Sequence, residues 1–126
     1  MKELWLTPTQ LPSIPVEAEV ISPDVVTGKT LKEIEGFKVY VGNATYRLGE
    51  FFEVEGELAD RASEQMIVVD GTCQTVKYIG AKMTAGCIHV RGCAGMHAGS
   101  QMSGGEMLVD GKTSTSTWCW RISIDR

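Results

Sequence analysis

Nowhere does the sequence approach the roughly 18 consecutive apolar residues that a membrane helix requires. Its first residues, MKELWLTPTQLPSIPVEAEV, lack the basic start, the apolar run and the small-residue cleavage site of a secretory signal. A cytoplasmic chain with no membrane partner is expected. Basic residues are also scarce: 12 Lys and Arg face 16 Asp and Glu, for a net charge of −4, so no positive field draws phosphate backbones and nucleic acid is not an expected partner. Only two histidines and four cysteines occur, and Cys73, Cys87, Cys93 and Cys119 form no C-x-x-C pair. Reduced thiols are expected in a reducing compartment. A metal site could recruit His89 or His97 with Cys87 and Cys93, and alternation along a strand puts Cys87 and His89 on one face, where they could converge. The spacing matches no zinc motif, and structural or surface roles are the expectation.

Catalytic signatures are equally thin. Gly28-Lys29-Thr30 and Gly111-Lys112-Thr113 resemble the end of a phosphate-binding loop, but Pro23 and Glu106 stand where that loop needs its first glycine. No G-x-S-x-G elbow marks a nucleophile. Glu50, Glu53, Glu55 and Glu57 recur at near-strand spacing, which reads as a solvated strand face rather than a paired-acid site. No catalytic, cofactor-binding or metal residue is expected in this chain.

What the sequence does contain is a repeat. Gly80, Met83, Gly86, Ile88, Val90 and Gly92 return 19 residues later as Gly99, Met102, Gly105, Met107, Val109 and Gly111. Each unit, G-x-x-M-x-x-G-x-I/M-x-V-x-G, holds one short alternating segment bounded by glycines that can take positive φ. Nineteen residues are too few for a strand, a crossover helix and a second strand, but they suit one turn of a β-solenoid. The expected fold class is therefore all-β: a right-handed parallel β-helix, single-stranded with 19-residue turns, carrying a small N-terminal β layer. Turns about 4.8 Å apart would stack Met83 over Met102, Ile88 over Met107 and Val90 over Val109 as the core. Cys87, His89, Glu106 and Leu108 have the opposite parity and should face outward or toward a neighbour. The paired methionines read as core filling rather than as metal or redox groups. A looser copy precedes these units, with Ile67, Val69 and Gly71 lying 21 residues before Ile88, Val90 and Gly92.

Prolines at 8, 12, 15 and 23 break residues 7–23 into extended pieces, expected to wrap across a surface. Thr30-Leu31-Lys32-Glu33 has the form of a capping box, with Gly36 closing a single helical turn. Phe37, Val39 and Val41 alternate, as do Phe52 and Val54, with turns at Gly42-Asn43 and Leu48-Gly49. The expected division is 1–62 for the extended segment and β layer, 63–112 for the turns and 113–126 for a divergent tail. In that tail the repeat lapses, since Trp118, Arg121 and Ile124 stand where glycine, methionine and glycine would fall. Trp118, Trp120, Ile122 and Ile124 alternate as a last strand would. The tail is either a native cap or unrelated sequence left by truncation or frameshift of a longer gene. So few turns leave an open end, for which a partner or self-association is expected.

The repeat resembles the GXGXG β-helix shared by the C-terminal domain of glutamate synthase and the C subunit of formylmethanofuran dehydrogenase. The first half of the chain favours the dehydrogenase family. Leu6-Thr7-Pro8, Pro15-Val16-Glu17-Ala18, Pro23-Asp24, Gly28-Lys29, Gly42-Asn43 and residues 48–56 resemble the start of that C subunit. Asp70-Gly71, Ile79-Gly80, Met83-Thr84-Ala85-Gly86 and Val90-Arg91-Gly92 extend the likeness, which covers residues 4 to about 111. The resemblance implies a non-catalytic scaffold subunit in a cytoplasmic complex of methanogenic archaea that fixes carbon dioxide onto methanofuran as a formyl group. It places a molybdenum or tungsten pterin, iron–sulfur clusters and a zinc-type metal pair in partner subunits, with no cofactor in this chain. Two alternatives stand beside it. One is a subunit of the related formyltransferase/hydrolase complex; the other is a stand-alone glutamate-synthase-like module in which His89 and Arg91 meet a small anion. Members of the family continue through further turns, whereas this chain loses the repeat after Gly111.

Overall fold

A computed structural model describes residues 2–71, 73, 75–92, 95, 98–112 and 117–124, with residues from 110 onward described by their backbone alone. The chain is all-β with short helical turns. In order it forms β1 (Lys2–Pro8), β2 (Val16–Glu17), α1 (Pro23–Val26), α2 (Leu31–Glu35), β3 (Lys38–Val41), β4 (Ala44–Arg47), β5 (Phe52–Gly56), β6 (Gln65–Val69), β7 (Val76–Lys77), β8 (Cys87–Val90), β9 (Gly105–Lys112) and β10 (Thr117–Ile124). Two sheets result, one ordered β10-β9-β8-β6-β1-β5 and the other β4-β3-β2-β7. Among the described residues no helix is long and apolar enough to cross a membrane.

The chain alternates between the sheets. β1 and β6 pair in parallel in the first sheet, as do β6 with β8 and β8 with β9, while β2 and β7 pair in parallel in the second. Backbone bonds continue this alignment beyond the strands: Ala18 N donates to Lys77 O (3.1 Å), Gly80 N to Ile21 O (2.8 Å), Gly95 N to Val76 O (3.1 Å) and Gly99 N to Ile79 O (2.8 Å). Segments from both halves of the chain thus lie side by side in one hydrogen-bonded stack.

Residues 23–64 interrupt the alternation and add β5 beyond β1 and the β3–β4 hairpin beyond β2, so both sheets are extended on the same side. The capping box forms as its sequence indicates, with Glu33 N donating to Thr30 Oγ1 (3.1 Å) and Thr30 N to Glu33 Oε1 (3.2 Å). Gly42-Asn43 turns the β3–β4 hairpin, with Gly42 at φ 60°. The proline-rich stretch departs from the expected surface wrap. Residues 9–15 run outside, but Val16, Ala18 and Ile21 are wholly buried, because β2 must pair with β7 and turn its apolar parity inward.

Where β6 begins, the buried amide of Gln65 ties three segments together. Ala59 N donates to its Oε1 (2.6 Å), and its Nε2 donates to the carbonyls of Lys2 (3.3 Å), Glu57 (3.2 Å) and Met66 (2.9 Å). Gln65→Leu keeps the volume but strands these backbone groups, so a loss of about 2–4 kcal/mol is expected in a denaturant titration.

Candidate functional site: the repeat ladder and its outer face

The interior of the first sheet is a set of columns running across its strands. Ile67 pairs with Ile88 and Ile88 with Met107; Val69 pairs with Val90 and Val90 with Val109. Leu4 and Leu6 of β1 lie beside Ile67 and Val69. All eight side chains are at most 1% exposed. Burial at that level contributes roughly 1.5–3 kcal/mol per side chain, which makes these columns the main apolar support of the sheet. Met83 is wholly buried, and Met102 is partly buried against the same cluster.

The corners repeat as closely as the columns. Met83 N donates to Gly80 O (3.2 Å) and Met102 N to Gly99 O (3.1 Å), with Gly80 at φ 72° and Gly99 at φ 71°. Lys82 and Gln101 take matching left-handed conformations at φ 61° and 58°. A side chain in that region is strained while glycine is not, so Lys82→Gly is expected to raise stability by roughly 0.5–1 kcal/mol. A lower unfolding midpoint would show that the lysine stem offsets its strain. Gly86 (φ 90°) and Gly105 (φ 82°) open β8 and β9 where the backbone passes hard against the preceding segment. A Cβ at Gly86 would lie 2.8 Å from the Gln65 carbonyl oxygen, and one at Gly105 would lie 2.7 Å from the Gly86 carbonyl oxygen. Gly92 is buried just after β8, and Gly111 lies within β9.

On the other face of the first sheet, Met66, Cys87 and Glu106 form one row across the strands, Trp5, Val68, His89 and Leu108 a second, and Thr7, Asp70 and Arg91 the edge of a third. Cys87, His89, Glu106 and Leu108 are all partly buried. Cys87 Sγ lies 4.0 Å from Glu106 Oε1. Arg91 is ion-paired with Asp70 at 3.4 Å, and its guanidinium sits 5.8 Å from the Trp5 ring centre. His89 Nε2 is buried without a hydrogen-bond partner among the described residues. Trp5 is the member of this face that the repeat does not reveal; the alternation of Leu4 and Leu6 with Glu3, Trp5 and Thr7 is the signal that places it.

The other sequence candidates separate in space. Cys87 and His89 do share a face, while Cys93 and His97 fall outside the described residues. Among the described residues no three His, Cys, Asp or Glu side chains gather as a metal site would require. Gly28-Lys29-Thr30 leads into the five-residue helix α2, whose N-terminus is capped by Thr30 itself. Gly111 and Lys112 lie in β9, and Thr113 falls outside the described residues. Glu50 accepts a bond from Arg47 N (2.7 Å), while Glu53 and Glu55 are exposed on β5. An open cleft of about 560 Å³ on the second sheet is lined by Glu17, Glu19, Val20, Lys38, Tyr40 and Tyr78, with no paired nucleophile and base.

No family model matches the sequence. Individual proteins do. The chain is 46% identical over 100 residues to the C subunit of tungsten-containing formylmethanofuran dehydrogenase 2 of Methanothermobacter marburgensis, covering 79% of this chain and 37% of that protein. It is 44% identical over 97 residues to the C subunit of molybdenum-containing formylmethanofuran dehydrogenase 1 of Methanosarcina barkeri, covering 77% of this chain and 32% of that protein. The C subunit of the tungsten-containing enzyme of Methanococcus maripaludis is 40% identical over 97 residues, covering 77% of this chain and 35% of that protein. The chain thus spans about a third of the length of the relatives it matches. This identity holds over nearly four-fifths of the chain's own length, and in that region the chain is similar to C subunits of formylmethanofuran dehydrogenases.

Proposed function

We propose that the chain is a non-catalytic scaffold subunit of a formylmethanofuran dehydrogenase complex, the assembly that joins carbon dioxide to methanofuran in methanogenesis. The similarity to C subunits of both tungsten and molybdenum enzymes carries this reading. A role that is indifferent to the metal suits a subunit that holds others in place. In this reading the parallel stack is a right-handed β-helix of 19-residue turns spanning residues 63–112. β1 and β2, in parallel with β6 and β7, supply a turn ahead of it, β3, β4 and β5 supply a β layer beyond that turn, and β10 supplies an end strand. The stack gives a stiff body on which catalytic subunits take fixed positions, and the metals and pterin belong to those partners in the cytoplasm.

The non-catalytic half of the proposal is tested by assaying the purified chain for formylmethanofuran formation from carbon dioxide and methanofuran with a low-potential reductant. No turnover is expected, alone or after tungstate, molybdate or zinc is supplied. Turnover proportional to the chain's concentration, surviving further purification, overturns it.

A further inference from the structure

The carboxylates of β5 face the same side as the Trp5 row. Glu55 pairs with Trp5 and Glu53 with Thr7 in the β1–β5 register, and Glu57 N bonds to Glu3 O. This side of the first sheet therefore combines a partly apolar centre of Trp5, Met66, Val68 and Leu108 with an acidic border of Glu3, Glu53, Glu55 and Glu57. Four strands at about 4.8 Å spacing make the row from Trp5 to Leu108 roughly 14 Å long, the scale of an interface core rather than of a small-molecule pocket. Two nearby cations are already engaged, Arg91 with Asp70 at 3.4 Å and Lys2 with Glu57 at 3.8 Å. No ion pair to Glu3, Glu53 or Glu55 forms among the described residues. His89 Nε2 is already out of water without a hydrogen bond, so covering the row removes no hydration there.

From this juxtaposition we infer that the outer face of β5-β1-β6-β8-β9 is the docking surface for a different protein, one that presents an apolar patch bordered by Lys and Arg. Charge decides the kind of occupant. A second copy carries the same acidic border and so presents no Lys- and Arg-rich border to answer it, and the chain's net charge of −4 adds repulsion between copies. A basic border on the partner would instead steer it onto the Trp5 row, where a Trp and an Arg supply the residue types that dominate binding energy. The inference rests on the proposed membership of a multi-subunit complex, and it names the side by which the chain joins it.

Photo-crosslinking tests it in a methanogen host expressing the tagged chain with benzoylphenylalanine at position 108, or at position 40 on the second sheet as the comparison. The expected product is a crosslink from position 108 to a different polypeptide, at a peptide flanked by Lys or Arg. Its yield should fall at least tenfold when Glu53→Lys and Glu55→Lys are combined, while circular dichroism and melting temperature stay unchanged. A crosslink only to a second copy, crosslinking from position 40 but not from 108, no crosslink at either, or a yield insensitive to the charge reversals overturns the inference. The identity of the captured polypeptide is a separate readout: a dehydrogenase subunit supports the proposed function, whereas any other protein sinks that reading and leaves the docking face standing.

Discussion

Val90→Asp is expected to abolish the cooperative unfolding transition of the chain, while Arg91→Ala, one residue on, shifts it by no more than about 1 kcal/mol. Val90 is wholly buried between Val69 and Val109, with apolar neighbours across the strands on both sides. A carboxylate there has no cation to meet among the described residues, and its desolvation costs several kcal/mol whether it stays charged or takes up a proton. Domains of this size are stable by roughly 5–15 kcal/mol, so much or all of that margin would be lost. Arg91 is half-exposed, and its ion pair with Asp70 is screened by water. The pair is read by thermal circular dichroism, and equal effects at the two positions would contradict the facing assigned to β8.

Gly86→Ala is expected to cost about 3 kcal/mol or more and to lower the melting temperature by roughly 10 °C. Two penalties combine. At φ 90° any L side chain is strained, and the new Cβ would meet the carbonyl oxygens of Ala62 and Gln65 and the Pro23 Cβ, groups that cannot swing aside. Gly28→Ala isolates the first penalty. Gly28 sits at φ 75°, but a Cβ there meets nothing within 4 Å, so a loss of about 1 kcal/mol is expected. If the two substitutions proved alike in differential scanning calorimetry, the close approach of β8 to the segment before it would play no part in stability.

Periodicity makes the second half legible from the residues alone. Gly80, Gly86, Gly99 and Gly105 all take positive φ at the corners, and Ile88 and Val90 stand in register with Met107 and Val109. Local chemistry also reveals the Thr30–Glu33 capping box and the turn at Gly42-Asn43. The place of the first strands is not legible. β1 and β2 pair with β6 and β7 across the long insertion of residues 23–64, and the short alternation of Leu4 with Leu6 does not name a partner in the other half of the chain. Backbone strain at Lys82 and Gln101 is equally hidden, because their residue types carry no signal for a left-handed corner; only their equivalent positions in the repeat tie them together. Glu53 and Glu55 read as a solvated face while β5 stands alone. Pairing with β1 sets them beside Trp5 and gives the face a character that one strand cannot show.

The most direct test of the scaffold assignment is to purify the affinity-tagged chain from a methanogen under anaerobic, low-salt conditions and weigh the product by native mass spectrometry. The account predicts one assembly in which the chain is present at fixed stoichiometry with the other subunits of formylmethanofuran dehydrogenase. A chain recovered alone, or only with copies of itself, would contradict it.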